Sequence, residues 1–145
     1  MAPRKKTKVM KLYLPALTLL LFLASACGRK YEPIAYGKDA CAHCKMTIMD
    51  KRFSAEIVNP KGRVFKFDDI ACLRGFDIEP GSLLFVNDYS GKQAEPLLAE
   101  KAVFLHHESF KSPMAGNFPA FADEAAATAL KDSLGLDFLT WEKLP

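Results

Sequence analysis

The start of the chain limits the fold more than any other feature, because it sets how many residues are left to build one. Arg4, Lys5, Lys6, Lys8 and Lys11 form a basic head with no acidic residue among them. An apolar run follows, LYLPALTLLLFLASA, from Leu12 to Ala26. A membrane-spanning helix needs about 20 predominantly apolar residues. This run is shorter, and Pro15 interrupts it. A basic head, a short apolar middle and small residues at the end are the features of an export signal that is later removed. Residues 1–26 are therefore expected to be cleaved, which leaves 119 of the 145 residues to fold. That is one ordinary domain, long enough for a real core. Cleavage also removes five of the 20 Lys and Arg, leaving 15 basic against 17 acidic side chains. The basic balance of the full chain thus belongs to the signal, and the remainder gives no nucleic-acid footprint.

The end of the signal is more specific. LASAC, residues 23–27, resembles a bacterial lipobox, with Ala24 three residues before Cys27. The resemblance implies that Cys27 is acylated, becomes the new N-terminus and holds the chain at the periplasmic face of the envelope. Residue 29 is Arg rather than Asp, which implies sorting to the outer membrane. Residues 27–38, polar and broken by Pro33 and Gly37, read as the lipidated end and a tether. Three cysteines then remain for the domain, Cys41, Cys44 and Cys72. An odd number in an exported protein leaves at least one thiol free or used in chemistry. The cysteine density is too low for a disulfide-built scaffold.

From residue 39 onward the patterns alternate between strand and helix. RFSAEIV (52–58) alternates apolar and polar residues, as a half-buried strand does. NPKG (59–62) is a turn and RVFKF (63–67) a second strand, which together suggest a hairpin. DDIACLRGF (68–76) begins with aspartates suited to cap a helix. GSLLFVNDY (81–89) is a short apolar run bounded by turn residues, hence a strand. KAVFLHH (101–107) and FPAFA (118–122) are further strand candidates. DEAAATALKDSLG (123–135) is the strongest helix, with two acids at its start, Lys131 late and Gly135 as its stop. DFLTWEKL (137–144) completes the set as a strand. Strand–strand–helix–strand therefore occurs twice. The expected fold is α+β, two similar ββαβ halves in one domain over residues 39–145, divided near residues 39–93 and 94–145.

DACAHCKM (39–46) carries the chemistry. Haem attachment requires a histidine directly after the second cysteine, and Lys45 stands there. Structural zinc favours four ligands, often two cysteine pairs; here there is one pair, with Cys72 remote in sequence. A thiol–disulfide site has the right Cys-x-x-Cys spacing, and a helix N-terminus would lower a thiol pKa. The residues after the motif, KMTIMD, do not read as the long helix that such a site requires. Copper(I) fits best, since it is soft and prefers thiolate and thioether sulfur. Cys41 and Cys44 can converge from one turn, and Met46 can project on the same side as Cys44 from extended chain. Met49 is a nearby fourth sulfur, expected rather to fill the core. Cys72 reads as a small buried residue. Asp68 and Asp69 read first as capping groups.

Several separated stretches carry a family resemblance: LASAC, DACAHCKM in the form Asp-x-Cys-x-x-Cys-x-Met, KFDDIACL, FVNDYSG and SPMAGNFPAF. In this order they resemble the NosL family, copper-binding lipoproteins accessory to nitrous oxide reductase. The resemblance implies a Cu(I) metallochaperone, not an enzyme. It implies delivery of copper towards nitrous oxide reductase and a membrane ABC-type assembly complex, and two ββαβ halves. Carried over onto this sequence, it implies Cys41, Cys44, Met46 and Met114 as metal ligands, with His106 and His107 as further candidates. A periplasmic thiol–disulfide oxidoreductase using Cys41 and Cys44 is the alternative. A lyase would rest on shared fold alone, which does not carry function.

Overall fold

The structure, a computed structural model, describes residues 28–145. The expected export signal, residues 1–26, and Cys27 lie outside the described residues. Among the described residues no helix is long and apolar enough to cross a membrane.

The first half is a ββαβ unit. β1 (Ala55–Val58) and β2 (Val64–Phe67) form an antiparallel hairpin with Val58 opposite Val64 and Ala55 opposite Phe67. Its turn is built by Asn59, whose side-chain oxygen accepts from the Lys61 and Arg63 amides at 3.1 and 2.8 Å. Gly62 supplies the positive φ of 79° that closes it. The short helix α1 (Ile70–Arg74) follows at once, with Asp69 as its N-cap, accepting from the Ala71 amide at 2.9 Å. β3 (Leu83–Val86) returns to pair with β1, and β4 (Leu97–Leu98) adds an edge, giving the order β2-β1-β3-β4.

The second half repeats the plan with shorter strands. β5 (Val103–Phe104) pairs antiparallel with β6 (Ala120–Phe121). Asp123 then caps α2 (Glu124–Leu134), accepting from the Ala126 amide at 2.8 Å, and Gly135 ends the helix at a φ of 65°. Phe104 and Leu139 exchange both backbone hydrogen bonds at 2.9 Å, in the position that β3 holds beside β1. The two sheets meet where the Tyr89 amide donates to the Ala120 carbonyl at 2.8 Å, a parallel bridge. The α+β fold with two ββαβ halves is therefore present. The strands expected over 101–107, 118–122 and 137–144 contract to two residues, two residues and one pairing. Turns explain this: 3-10 turns flank β5 at Ala99–Lys101 and Glu108–Phe110, and another takes Trp141–Lys143 out of the last strand.

Residues 28–38 do not stand free of the domain; they form a strap along the sheet. The Arg29 guanidinium donates to the Gly81 carbonyl at 2.6 Å, and Tyr31 meets Phe85 edge-on at 5.7 Å between ring centroids. The Glu32 amide donates to Glu56 Oε1 at 2.8 Å, Ile34 is buried, and Tyr36 Oη lies 3.0 Å from Ser54 Oγ. β1 is consequently buried along its whole length, with Ala55 and Ile57 in the core and Glu56 beneath the strap. The alternating sequence of residues 52–58 suggested a half-buried strand. The strap covers that second face, and local periodicity cannot show such a cover.

Glu56 is fully buried, and its Oε2 has no hydrogen-bond partner. Burial pushes its carboxyl pKa up to about 7 from an ordinary 4.5, against the opposing pulls of the Glu32 amide and the Lys66 ammonium. The folded state thus holds this proton more tightly than the unfolded chain. Its contribution to stability is complete below pH 4.5 and is lost as pH rises through about 7. Thermal unfolding at pH 5 and pH 8 should show this loss in the parent chain. Glu56→Gln should flatten the difference; an unchanged pH dependence would assign it to other groups.

Candidate metal centre

The loop carrying the cysteine pair is a tight reversal docked on the β2–α1 junction. Ala40 and Thr47 pair across its base. The Cys41 amide donates to the Met46 carbonyl at 2.8 Å, and the Lys45 amide to the Cys41 carbonyl at 3.1 Å. Lys45 accepts a left-handed φ of 68° to complete the turn. The Ala42 amide donates to the Lys66 carbonyl at 2.7 Å, which fixes the loop to β2. Lys66 also reaches back with its ammonium to Asp39 at 2.9 Å and Glu32 at 2.9 Å, tying the strap to the loop's first residue. That ammonium holds the Asp39 carboxyl below the usual carboxylate range.

This docking brings Cys41 and Cys44 onto Asp68, the residue after β2, and onto Cys72, within α1. The three sulfurs and one carboxylate oxygen all lie within 4.8 Å of one another. Cys41, Cys72 and Asp68 are buried, while Cys44 is partly exposed. All three cysteines are free thiols. Cys44 Sγ–H donates to Asp68 Oδ1 at 3.4 Å. Burial pushes the Cys44 thiol pKa up, against the opposing effect of the Met46 backbone, and the neighbouring Cys41 and Asp68 add to the rise. Burial, then the bond to Asp68, raises the Cys72 thiol as well. Cys44 and Cys72 thus hold their protons more tightly than free thiols do, and a thiophilic ion would have to displace those protons to bind.

Cys72 and Asp68 are the residues that sequence reasoning left out of the site. Cys72 is buried as expected, but its sulfur belongs to the cluster. The signal was the spacing in DDIAC: Asp68 and Cys72 lie four apart across a strand-to-helix junction, which places them on one side of the first turn. The two aspartates divide their tasks, Asp69 capping α1 and Asp68 accepting from Cys44.

The other candidates lie as follows. Met46 is 53% exposed, its carbonyl closing the loop while its side chain stands at the surface. Met49 is 70% exposed, which corrects the expectation that it fills the core. Ile48 beside it takes the inward position with no exposed surface, and extended chain then turns Met49 outward. Met114 is 41% exposed, on a loop pinned to the same junction: its amide donates to Asp69 Oδ2 at 2.8 Å. His106 is exposed, with its ring 4.9 Å from that of Phe118. His107 uses Nδ1 to accept from the Ser109 amide at 3.2 Å and so caps a turn. Among the described residues no histidine joins the four-group cluster.

The NosL family model matches residues 34–145. The chain belongs to the NosL family. Among solved structures, it is similar to the crystal structure of the copper chaperone NosL from Shewanella denitrificans. The TM-score is 0.64 and the identity 20%, over 80% of this chain and 96% of that one. At that identity the likeness shows the fold. Among curated proteins nothing matches. The clustered donors Cys41, Cys44, Asp68 and Cys72 could together hold a metal ion.

The Met114 loop sits on α1 without clearance. A Cβ added at Gly116 would lie 2.5 Å from Ala71 Cβ, 2.9 Å from Asp69 Oδ1 and 3.2 Å from the Phe118 ring. Gly116→Ala should therefore lift the loop from the junction and cost about 1–3 kcal/mol, measured by urea unfolding. A neutral substitution would mean that the loop is not held there in solution.

Proposed function

We propose that this NosL-family chain is a Cu(I) carrier, lipid-anchored through Cys27 at the periplasmic face of the envelope, that delivers copper for assembly of nitrous oxide reductase. The observation that carries the reading is the convergence of three free thiols on one partly exposed edge. Soft sulfur donors favour a monovalent copper ion, which accepts two or three ligands. Cys41 and Cys72 form the buried side of the site, and Cys44 is its outlet. Met46 and Met114, exposed thioethers, are the ligands that meet an incoming or departing ion.

Transfer is ligand exchange. A partner's sulfur or imidazole bonds to the ion, the Cys44–copper bond breaks first and those to the buried sulfurs follow, and each released sulfur takes up a proton from solvent, Cys44 regaining its hydrogen bond to Asp68. No redox change is needed, and the copper stays monovalent. The recipient is nitrous oxide reductase or the membrane ABC-type complex that assembles it, in keeping with the family. The likeness to a copper chaperone supports copper as the cargo.

The thiol–disulfide alternative is weaker on this geometry. A disulfide exchanger needs a thiolate at neutral pH, whereas Cys44 is pushed the other way by burial. Zinc is a second reading with its own observation. Cys41, Cys44, Cys72 and Asp68 make four donors, the number that tetrahedral zinc takes. Cys72 is remote from the cysteine pair in sequence, but the fold brings its sulfur to them.

Titration of the thiol-reduced mature protein with Cu(I) against bicinchoninate, and with Zn(II) against a zinc chelator, separates these readings. Cu(I) should be retained, and Cys44→Ser or Cys72→Ser should weaken it at least about tenfold, roughly 1.4 kcal/mol. Met46→Leu should weaken Cu(I) and leave disulfide exchange unchanged. Surrender of Cu(I) with retention of Zn(II) would replace the copper reading by the zinc one.

A further inference from the structure

The sheet has two distinct ends. At one, Ala55, Phe67 and Val86 stand side by side and lead into Asp68, α1 and the cysteine cluster. At the other, Val58, Val64 and Leu83 lead into the Asn59–Arg63 turn and the turn before β3. The strap runs the length between them. Arg29 is pinned to Gly81 at the turn end, Glu32 is held beneath by Glu56, and Tyr36 reaches Ser54 at the cluster end. Residues 29–36 are therefore spent on packing and give no slack to a chain anchored upstream.

Cys27 precedes the pinned Arg29 by two residues. Fully extended chain spans at most about 3.6 Å per residue, so an acyl group on Cys27 leaves the turn end within about one Debye length, roughly 8 Å at physiological salt, of the membrane surface. The same end is basic. Arg29, Lys30 and Lys61 line one open groove with Gly28, Tyr31 and Pro60, and exposed Arg63 lies on the same turn. The acids nearby are Glu32, whose carboxylate is engaged by Lys66, exposed Glu79, which accepts from Asn59, and exposed Asp77, which lines a groove with Asn59 and Glu79.

We propose that the turn end of the domain, with Arg29, Lys30, Lys61 and Arg63, rests on an anionic phospholipid surface, so that the cysteine cluster is turned away from the bilayer towards the aqueous periplasm. The inference rests on the proposed acylation of Cys27 and is independent of which metal the cluster takes. A free spacer would let the domain tumble and present any face. The strap instead fixes one orientation, with the metal site at the far end of the sheet and its Cys44 side open to a partner from the periplasm.

The test uses the mature lipoprotein isolated from membranes. It is reconstituted into vesicles of phosphatidylethanolamine and phosphatidylglycerol in equal parts, with phosphatidylcholine vesicles and detergent micelles for comparison. An impermeant acylating reagent, read by peptide mass spectrometry, should modify Lys30 and Lys61 several-fold more slowly on the anionic vesicles than in micelles. Lys111, next to the Met114 loop, should react at the same rate in all three. Alkylation of Cys44 by an impermeant maleimide should also be unaffected by the vesicles. Unprotected Lys30 and Lys61, or protected Cys44, would overturn the orientation. Peptide mass showing Cys27 without its acyl group would overturn the anchoring reading, and the orientation with it.

Discussion

The carboxylate of Asp69 is shared between two donors that come from opposite halves of the chain. One oxygen accepts the Ala71 amide and starts α1; the other accepts the Met114 amide and holds the loop of the second half. Its neighbour Asp68, in the same buried turn, accepts the Cys44 thiol. Two consecutive side chains at one strand-to-helix junction therefore set the position of the first helix, the cysteine loop and the methionine loop. Buried carboxylates are costly unless they are hydrogen-bonded. Satisfying these two is what draws otherwise separate segments to one point.

The equivalent junction in the second half shows what was added. Asp123 follows β6 as Asp69 follows β2, and it too caps its helix, accepting from the amide three residues on where Asp69 accepts from the amide two residues on. Ala122 stands where Asp68 stands in the first half, and Ala126 follows Asp123 by three residues as Cys72 follows Asp69. The second half has the scaffold without the donors. The repeated unit supplies a helix start beside a sheet end, and the chemistry comes from what occupies two positions there together with a loop docked across them.

Buried polarity recurs on the other face of the sheet. Glu56 sits in the central strand under the strap with one oxygen unpartnered, and Lys66 beside it links Glu32 of the strap to Asp39 at the start of the cysteine loop. The strap, the loop and β2 are thereby joined through one ammonium group.

Local pattern made much of the plan legible. Asn59 and Gly62 marked the hairpin, the aspartates marked both helix starts, Gly135 marked the end of α2, and the Cys-x-x-Cys spacing marked the loop that carries chemistry. These are short-range effects, in which a side chain bonds to a backbone group a few residues away, and so they are written in adjacent residues. Tertiary structure alone decided the rest. It brought Cys72 to Cys41 and Cys44, covered Glu56, turned Met49 outward and shortened the strands of the second half. Each of these depends on what lies across from a residue in space rather than along the chain. A buried thiol reads the same in sequence whether it faces an isoleucine or another sulfur, and only the packing of a loop against a helix distinguishes the two.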